Sequence, residues 1–188
     1  SGAAQPLTGL YALQGGLVQP LHTQISLLAS DRYSHHVPES QNAMLSNRRQ
    51  LGYQTFSDVS PSGLAAGLAG CRTLLVPELE ASPMLVDLSV DGQDVLKRFV
   101  GDGGHMLLFY GSATETSSIS LLNLFGLNVS AGADASSKTL NKVAAPQIPN
   151  LPADLPATLT GQNATSALVC PSPSPAQPLY VDEGGNPV

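Results

Sequence analysis

Hydrophobic positions along the chain fall into short runs separated by amphipathic or polar stretches. Residues 1–24 show little periodicity, and Gly15-Gly16 and Pro20 interrupt any long element, so they read as a lead-in segment with one short strand near Leu17. Regular structure begins at Ile25-Ser26-Leu27-Leu28-Ala29, a compact apolar run of the kind a buried strand needs. Polar residues follow to His36. Pro38-Glu39-Ser40 then opens a helix to about Leu51, because proline fits a first helical turn and an acid there favours it. Gly52 supplies its left-handed stop. Tyr53 to Val59 predicts a second strand, and Ser60-Pro61-Ser62 opens a short helix over Leu64, Ala65 and Leu68, closed by Gly70. Thr73-Leu74-Leu75-Val76 is a third strand, ended by Pro77, which cannot donate to a ladder. Asp91 caps a helix whose Val95, Leu96, Phe99 and Val100 form an apolar stripe at helical spacing, and Gly101-Asp102-Gly103-Gly104 ends it. His105 to Tyr110 is a fourth, largely apolar strand. Ser117 or Ser118 caps a last helix from Ile119 to Phe125, stopped by Gly126.

Strands alternating with helices imply an α/β fold: a mostly parallel central sheet with helices on both faces, occupying residues 25–130. The segments between the clearest strands are long enough for helical crossovers. After Ala131 the pattern changes. Residues 131–178 are rich in Ala, Ser, Pro, Asn and Thr, and Pro146, Pro149, Pro152 and Pro156 recur too closely for a helix. This region predicts an extended Pro/Ser-rich excursion wrapping the domain, with short strands near Leu159 and Ala167-Leu168-Val169. Residues 179–188 predict a returning strand at Leu179-Tyr180-Val181, a turn and the start of another strand, so the domain is expected to continue past Val188. The first residue is Ser1, as expected of a processed form or a piece of something longer.

Three stretches resemble the class I glutamine amidotransferase-like superfamily. They are Leu75-Val76-Pro77-Glu78-Leu79, the run from Val95 through Gly103-Gly104 to Leu108, and Leu121-Leu122-Asn123-Leu124-Phe125-Gly126. The likeness is strong over residues 74–127 and looser over 25–130. It implies a flavodoxin-like α/β architecture. Active members of that superfamily carry a nucleophilic cysteine on the sharp turn after the strand corresponding to Met106–Tyr110, aimed at a histidine base. Here the turn reads Tyr110-Gly111-Ser112-Ala113, and no histidine follows His105. The resemblance therefore implies the scaffold of a non-catalytic member.

Composition narrows the function classes. Charged residues make up only 12% of the 188, and the net charge is −6 with eight Lys and Arg. Arg48-Arg49 and Lys97-Arg98 are the densest basic spots, and neither makes a face able to hold a phosphate backbone or an anionic membrane. No apolar run approaches the ~18 residues a membrane span requires. Gly101–Gly104 follows a helix, whereas phosphate loops follow a strand, so no nucleotide cofactor is expected. His35-His36 with Asp31 or Glu39 lacks the spacing of a metal site, and no metal is expected.

The remaining chemistry gathers where strands end. Ser112 stands at the position of a nucleophile elbow. His35 and His36 follow the first strand and could serve it as base, with Glu78, Glu80 or Glu115 as orienting acid. Asp31, Glu80 and Ser112 all fall at carboxyl ends of strands, the edge at which open α/β sheets bind ligands such as a sugar, although few aromatic residues are available for stacking. Cys71 and Cys170 are the only cysteines, and their expected pairing would tie the excursion to the core. Asn128-Val129-Ser130 and Asn163-Ala164-Thr165 are acceptor motifs for N-linked glycans. Pro171-Ser172-Pro173-Ser174-Pro175 resembles the Ser-Pro tracts of algal and plant cell-surface glycoproteins. The leading expectation is a non-catalytic structural or interaction domain of a larger extracellular or cell-surface glycoprotein. Its partners would be other protein chains, other domains of the same polypeptide, and glycans. The alternatives are a Ser-His-acid hydrolase using Ser112 and a small-ligand module at the strand edge.

Overall fold

The computed structural model describes residues 11–14, 17–20, 25–45, 52–111, 116–144, 154–161, 165–171 and 175–188. In the lead-in segment, β1 (Tyr11–Gln14) pairs antiparallel with β2 (Leu17–Pro20), two strands where one was expected.

Four short parallel strands form the central sheet: β3 (Ile25–Leu28), β4 (Tyr53–Phe56), β5 (Thr73–Val76) and β6 (His105–Leu108), in the order β4-β3-β5-β6. Ile25 lies opposite both Tyr53 and Thr73, and Thr73 lies opposite His105. The chain steps from β3 to β4 in one direction, then crosses back over β3 to reach β5 and continues to β6. Right-handed crossovers moving in opposite directions must lie on opposite faces, and the packing agrees. Leu27 and Leu75 point to one face, against Val37 of α1 (Val37–Leu45). Leu28, Leu74 and Val76 point to the other. They meet Leu64 and Leu68 of α2 (Pro61–Leu68), Met84 of α3 (Met84–Asp87), Leu96 of α4 (Val90–Gly101) and Leu121 of α5 (Ser117–Asn123). Each fully buried leucine contributes ~1.5–3 kcal/mol, so this second and larger face carries most of the cohesion.

Helix starts follow local chemistry. Ser60 caps α2 by accepting from the Gly63 N–H at 3.1 Å, with Pro61 in the first turn. Ser89, not the expected Asp91, caps α4: its hydroxyl accepts from the Gly92 N–H at 3.2 Å, and Asp91 lies inside the first turn, where its charge suits the helix dipole. Ser117 and Ser118 likewise lie within α5 and are buried. The Ser118 hydroxyl donates to the Phe109 carbonyl at 3.3 Å, tying α5 to the end of β6. The described part of α1 ends at Leu45, and the expected continuation to Leu51 lies outside the described residues.

Among the described residues β6 forms one rim of the sheet, with Leu107 50% and Phe109 46% exposed. No helix among the described residues is long and apolar enough to cross a membrane.

The stretch expected to run extended carries four strands. β7 (Ser130–Asp134) pairs antiparallel with β10 (Ser166–Val169), with an irregularity between Ser166 and Leu168. β8 (Thr139–Lys142) lies between β9 (Thr158–Thr160) and β11 (Tyr180–Val181), both antiparallel to it. A small apolar cluster of Ala135, Leu140 and Tyr180, with Leu179 and Val188 against it, holds this assembly. The Tyr180 hydroxyl donates to the Pro156 carbonyl at 2.8 Å. Beyond β11 the chain makes a single bridge rather than a second strand: Val181 pairs with Pro187 across a turn organised by the buried Asp182 carboxylate, which accepts from the Gly184 and Asn186 N–H groups, each at 2.9 Å. Between the parallel sheet and β7, the Asn123 side-chain amide donates to the Val129 carbonyl at 2.9 Å and accepts from its N–H at 2.7 Å.

Candidate functional site

The reversal of strand order leaves a crevice between the carboxyl ends of β3 and β5, where open α/β sheets gather ligand-binding loops. The loop after β3 is a tight turn in which the Ser30 carbonyl accepts from the Tyr33 and Ser34 N–H groups. Tyr33 is buried and anchors it. The Arg32 guanidinium lies 5.8 Å from the Tyr33 ring centre and pairs with Asp87 at 2.8 Å. Burial, reinforced by the hydrogen bond and charge of Asp87, pushes the Tyr33 hydroxyl up to about 12. The Ala81 N–H donates to the Tyr33 carbonyl at 3.1 Å, fastening this loop to the one after β5.

Two histidines leave the anchored turn and meet two glutamates from the β5 loop. The Glu80 carboxylate accepts from the His35 N–H and lies 3.5 Å from His35 Nδ1. His36 lies between Glu39 of α1, 3.6 Å from its Nδ1, and Glu78, 3.8 Å from its Nε2. These imidazole separations are long for hydrogen bonds, and the histidines are solvent-exposed, so each attraction is weak. Glu78 is the least exposed of the acids, at 19%. Its carboxylate occupies the space a Cβ on Gly111 would fill, so a larger residue there would push the Glu78 carboxylate aside.

His36, Glu39, Ser40, Glu78 and Phe109 line an open cleft of about 290 Å³. Of the residues the sequence singles out, it gathers His36, Glu39 and Glu78. Glu80 is engaged by His35, and Asp31 is exposed in the turn, away from the lining. Ser112, Glu115 and Asn163 lie outside the described residues. Sequence reasoning missed Phe109 and Ser40. The signal for Phe109 was an aromatic residue closing an apolar run, at the strand end that faces loops. Ser40 was read only as part of a helix start. Among the described residues no group of three or more His, Cys, Asp or Glu is arranged to hold a metal ion.

The expected Cys71–Cys170 bridge is not formed; both are free thiols. Cys71 precedes β5, at the sheet edge opposite the crevice, where Ser26 is its hydrogen-bonding neighbour, and Cys170 follows β10. Burial pushes both thiols up, so neither is set up as a nucleophile. Asn128 is exposed, with a left-handed φ of 54°, a conformation asparagine tolerates, at the turn leading into β7. No protein-family model, curated protein or solved structure matches this chain.

Proposed function

We propose that the chain is a non-catalytic interaction domain of an extracellular, glycosylated protein, built on a flavodoxin-like scaffold of the class I amidotransferase-like kind. The observation that carries the non-catalytic reading is the distribution of thiols. The carboxyl end of β6 leads through Phe109, Tyr110 and Gly111 into Ser112-Ala113-Thr114-Glu115, a sequence without cysteine, while Cys71 and Cys170 lie elsewhere with thiols raised by burial. The strand order β4-β3-β5-β6 agrees with the first four strands of a flavodoxin-like sheet. Low charge and an exposed Asn128 at an acceptor motif support secretion and glycosylation. Intact mass of the protein from its natural source, before and after N-glycosidase, tests this reading. A glycosidase-sensitive mass is expected, smaller in the Asn128→Gln variant. An unmodified chain would count decisively against it.

A second reading is favoured by one contact set: His36 faces Glu78, whose carboxylate abuts Gly111, the residue before Ser112. Such a histidine-acid pair could serve a serine hydrolase. A fluorophosphonate probe decides: labelling lost in Ser112→Ala would favour it, and no labelling ends it.

A further inference from the structure

We propose that the cleft between α1 and the carboxyl ends of β5 and β6 binds one neutral pyranose ring, with Glu78 and His36 holding its hydroxyls and Phe109 stacking on its C–H face. The proposal rests on the reading of the chain as a non-catalytic binding domain, and adds the ligand.

Size limits the ligand first. A volume of about 290 Å³ lies at the bottom of the ~300–1,000 Å³ range of ligand pockets. That suits one sugar ring better than a nucleotide. Charge limits it next. Among the described residues the lining offers Glu39 and Glu78 and no lysine or arginine, which disfavours phosphates and carboxylates. The His36 ring sits between the two carboxylates at 3.6 and 3.8 Å and fills the gap an amine would need to bridge them, which favours a neutral ligand.

The chemistry of the walls then selects a ring with two unlike sides. Carboxylate oxygens accept from hydroxyls, and such charge-assisted bonds are the stronger kind. An imidazole can donate or accept according to its proton. Phe109 keeps nearly half its surface exposed at the cleft, presenting an apolar face beside those polar groups. A pyranose matches this pairing, with hydroxyls at its edge and C–H bonds on its face. Glu78 is partly buried, with its carboxylate beside Gly111, so it is the more confined of the two cleft acids. Glu39 is largely exposed and contributes at the rim.

The test is a titration of the full chain, followed by backbone amide resonances, with glucose, mannose, galactose and N-acetylglucosamine. At least one sugar should saturate in the millimolar range, with shifts confined to residues 36–40, 78 and 109. Phe109→Ala and Glu78→Gln should each weaken it about tenfold while circular dichroism stays native. Val86→Ser, at an exposed valine outside the cleft, should bind unchanged. No saturable shift with any sugar, shifts elsewhere, or saturation instead by inorganic phosphate or a simple quaternary amine would overturn the proposal. The outcomes also separate from the parent reading. A glycosylated, fluorophosphonate-inert chain that ignores sugars refutes the site alone, whereas labelling at Ser112 refutes the non-catalytic reading.

Discussion

Gly67→Ala sets two effects of similar size against each other, and the structure decides between them. Gly67 is the next-to-last residue of α2, so alanine would gain up to ~1 kcal/mol of helix propensity. A Cβ at that position would lie 2.5 Å from Phe56 Cγ, 2.8 Å from Cδ2 and 3.0 Å from Cβ. Because Phe56 Cβ is itself close, rotating the ring does not clear the space; strand β4 and helix α2 must separate. Overpacking of that kind costs roughly 1–3 kcal/mol. Separation would also strain the Gly67 carbonyl, which accepts from the Ser26 hydroxyl at 2.5 Å and from Gln54 Nε2 at 2.7 Å. The clash outweighs the propensity, and a net loss of about 1 kcal/mol follows, roughly 2–4 °C in melting temperature for a chain of this size. Urea denaturation of a double-mutant cycle isolates the cause. In a Phe56→Leu background the same Gly67→Ala change should become neutral or stabilising, a coupling of about 1–2 kcal/mol. Equal effects of Gly67→Ala in both backgrounds, or a stabilised single variant, would refute the clash.

Two pH-dependent predictions follow from the hydrogen-bonded carboxylates and the buried phenol. The Asn186 side chain, then its N–H, holds the Asp182 carboxyl below its ordinary range, so its contribution to stability is present above the unfolded value of about 3.9 and is lost as pH falls through the lower folded value. The urea midpoint of Asp182→Ala should therefore fall furthest below the parent near about pH 5 and converge with it towards pH 2; a pH-independent gap would contradict this. Tyr33 has the opposite dependence. Its folded value of about 12 lies above an unfolded value near 10, so the neutral phenol stabilises the fold below about pH 10, and that contribution disappears as pH rises through 12. An ultraviolet phenolate titration of Tyr33→Phe should lack a late-titrating tyrosine that the parent shows.

β3 and β5 were legible because each is a short apolar run, as burial on both faces needs, whereas Tyr53–Phe56 and His105–Leu108 stood out as short segments bounded by glycine or polar residues and lie at the less buried edges of the sheet. The opposite faces of β3 and β5 could be read from Leu27 and Leu75 against Leu28, Leu74 and Val76. Strand order was not legible, because it depends on crossover direction rather than composition. The cap of α4 was misread because Ser89 and Asp91 both suit a helix start, and only the Ser89 to Gly92 geometry separates them. β7 and β8 were missed for a different reason. Ser130–Asp134 and Thr139–Lys142 carry few β-branched or aromatic residues, and they are strands because of partners distant in sequence, such as Ser166–Val169 and Thr158–Thr160. The approach of His36 to Glu78 was anticipated because both follow strands of one sheet. Phe109 was overlooked because an aromatic residue at the end of an apolar run reads first as core.

The rim formed by β6 has a practical consequence for anyone handling the chain in isolation. Met106 and Leu108 direct main-chain amides away from β5, where no strand among the described residues pairs with them, and β6 itself carries no lysine or proline to discourage adhesion. Concentrated preparations should stick rim to rim, and one charge at Leu107 is the economical way to keep them dispersed.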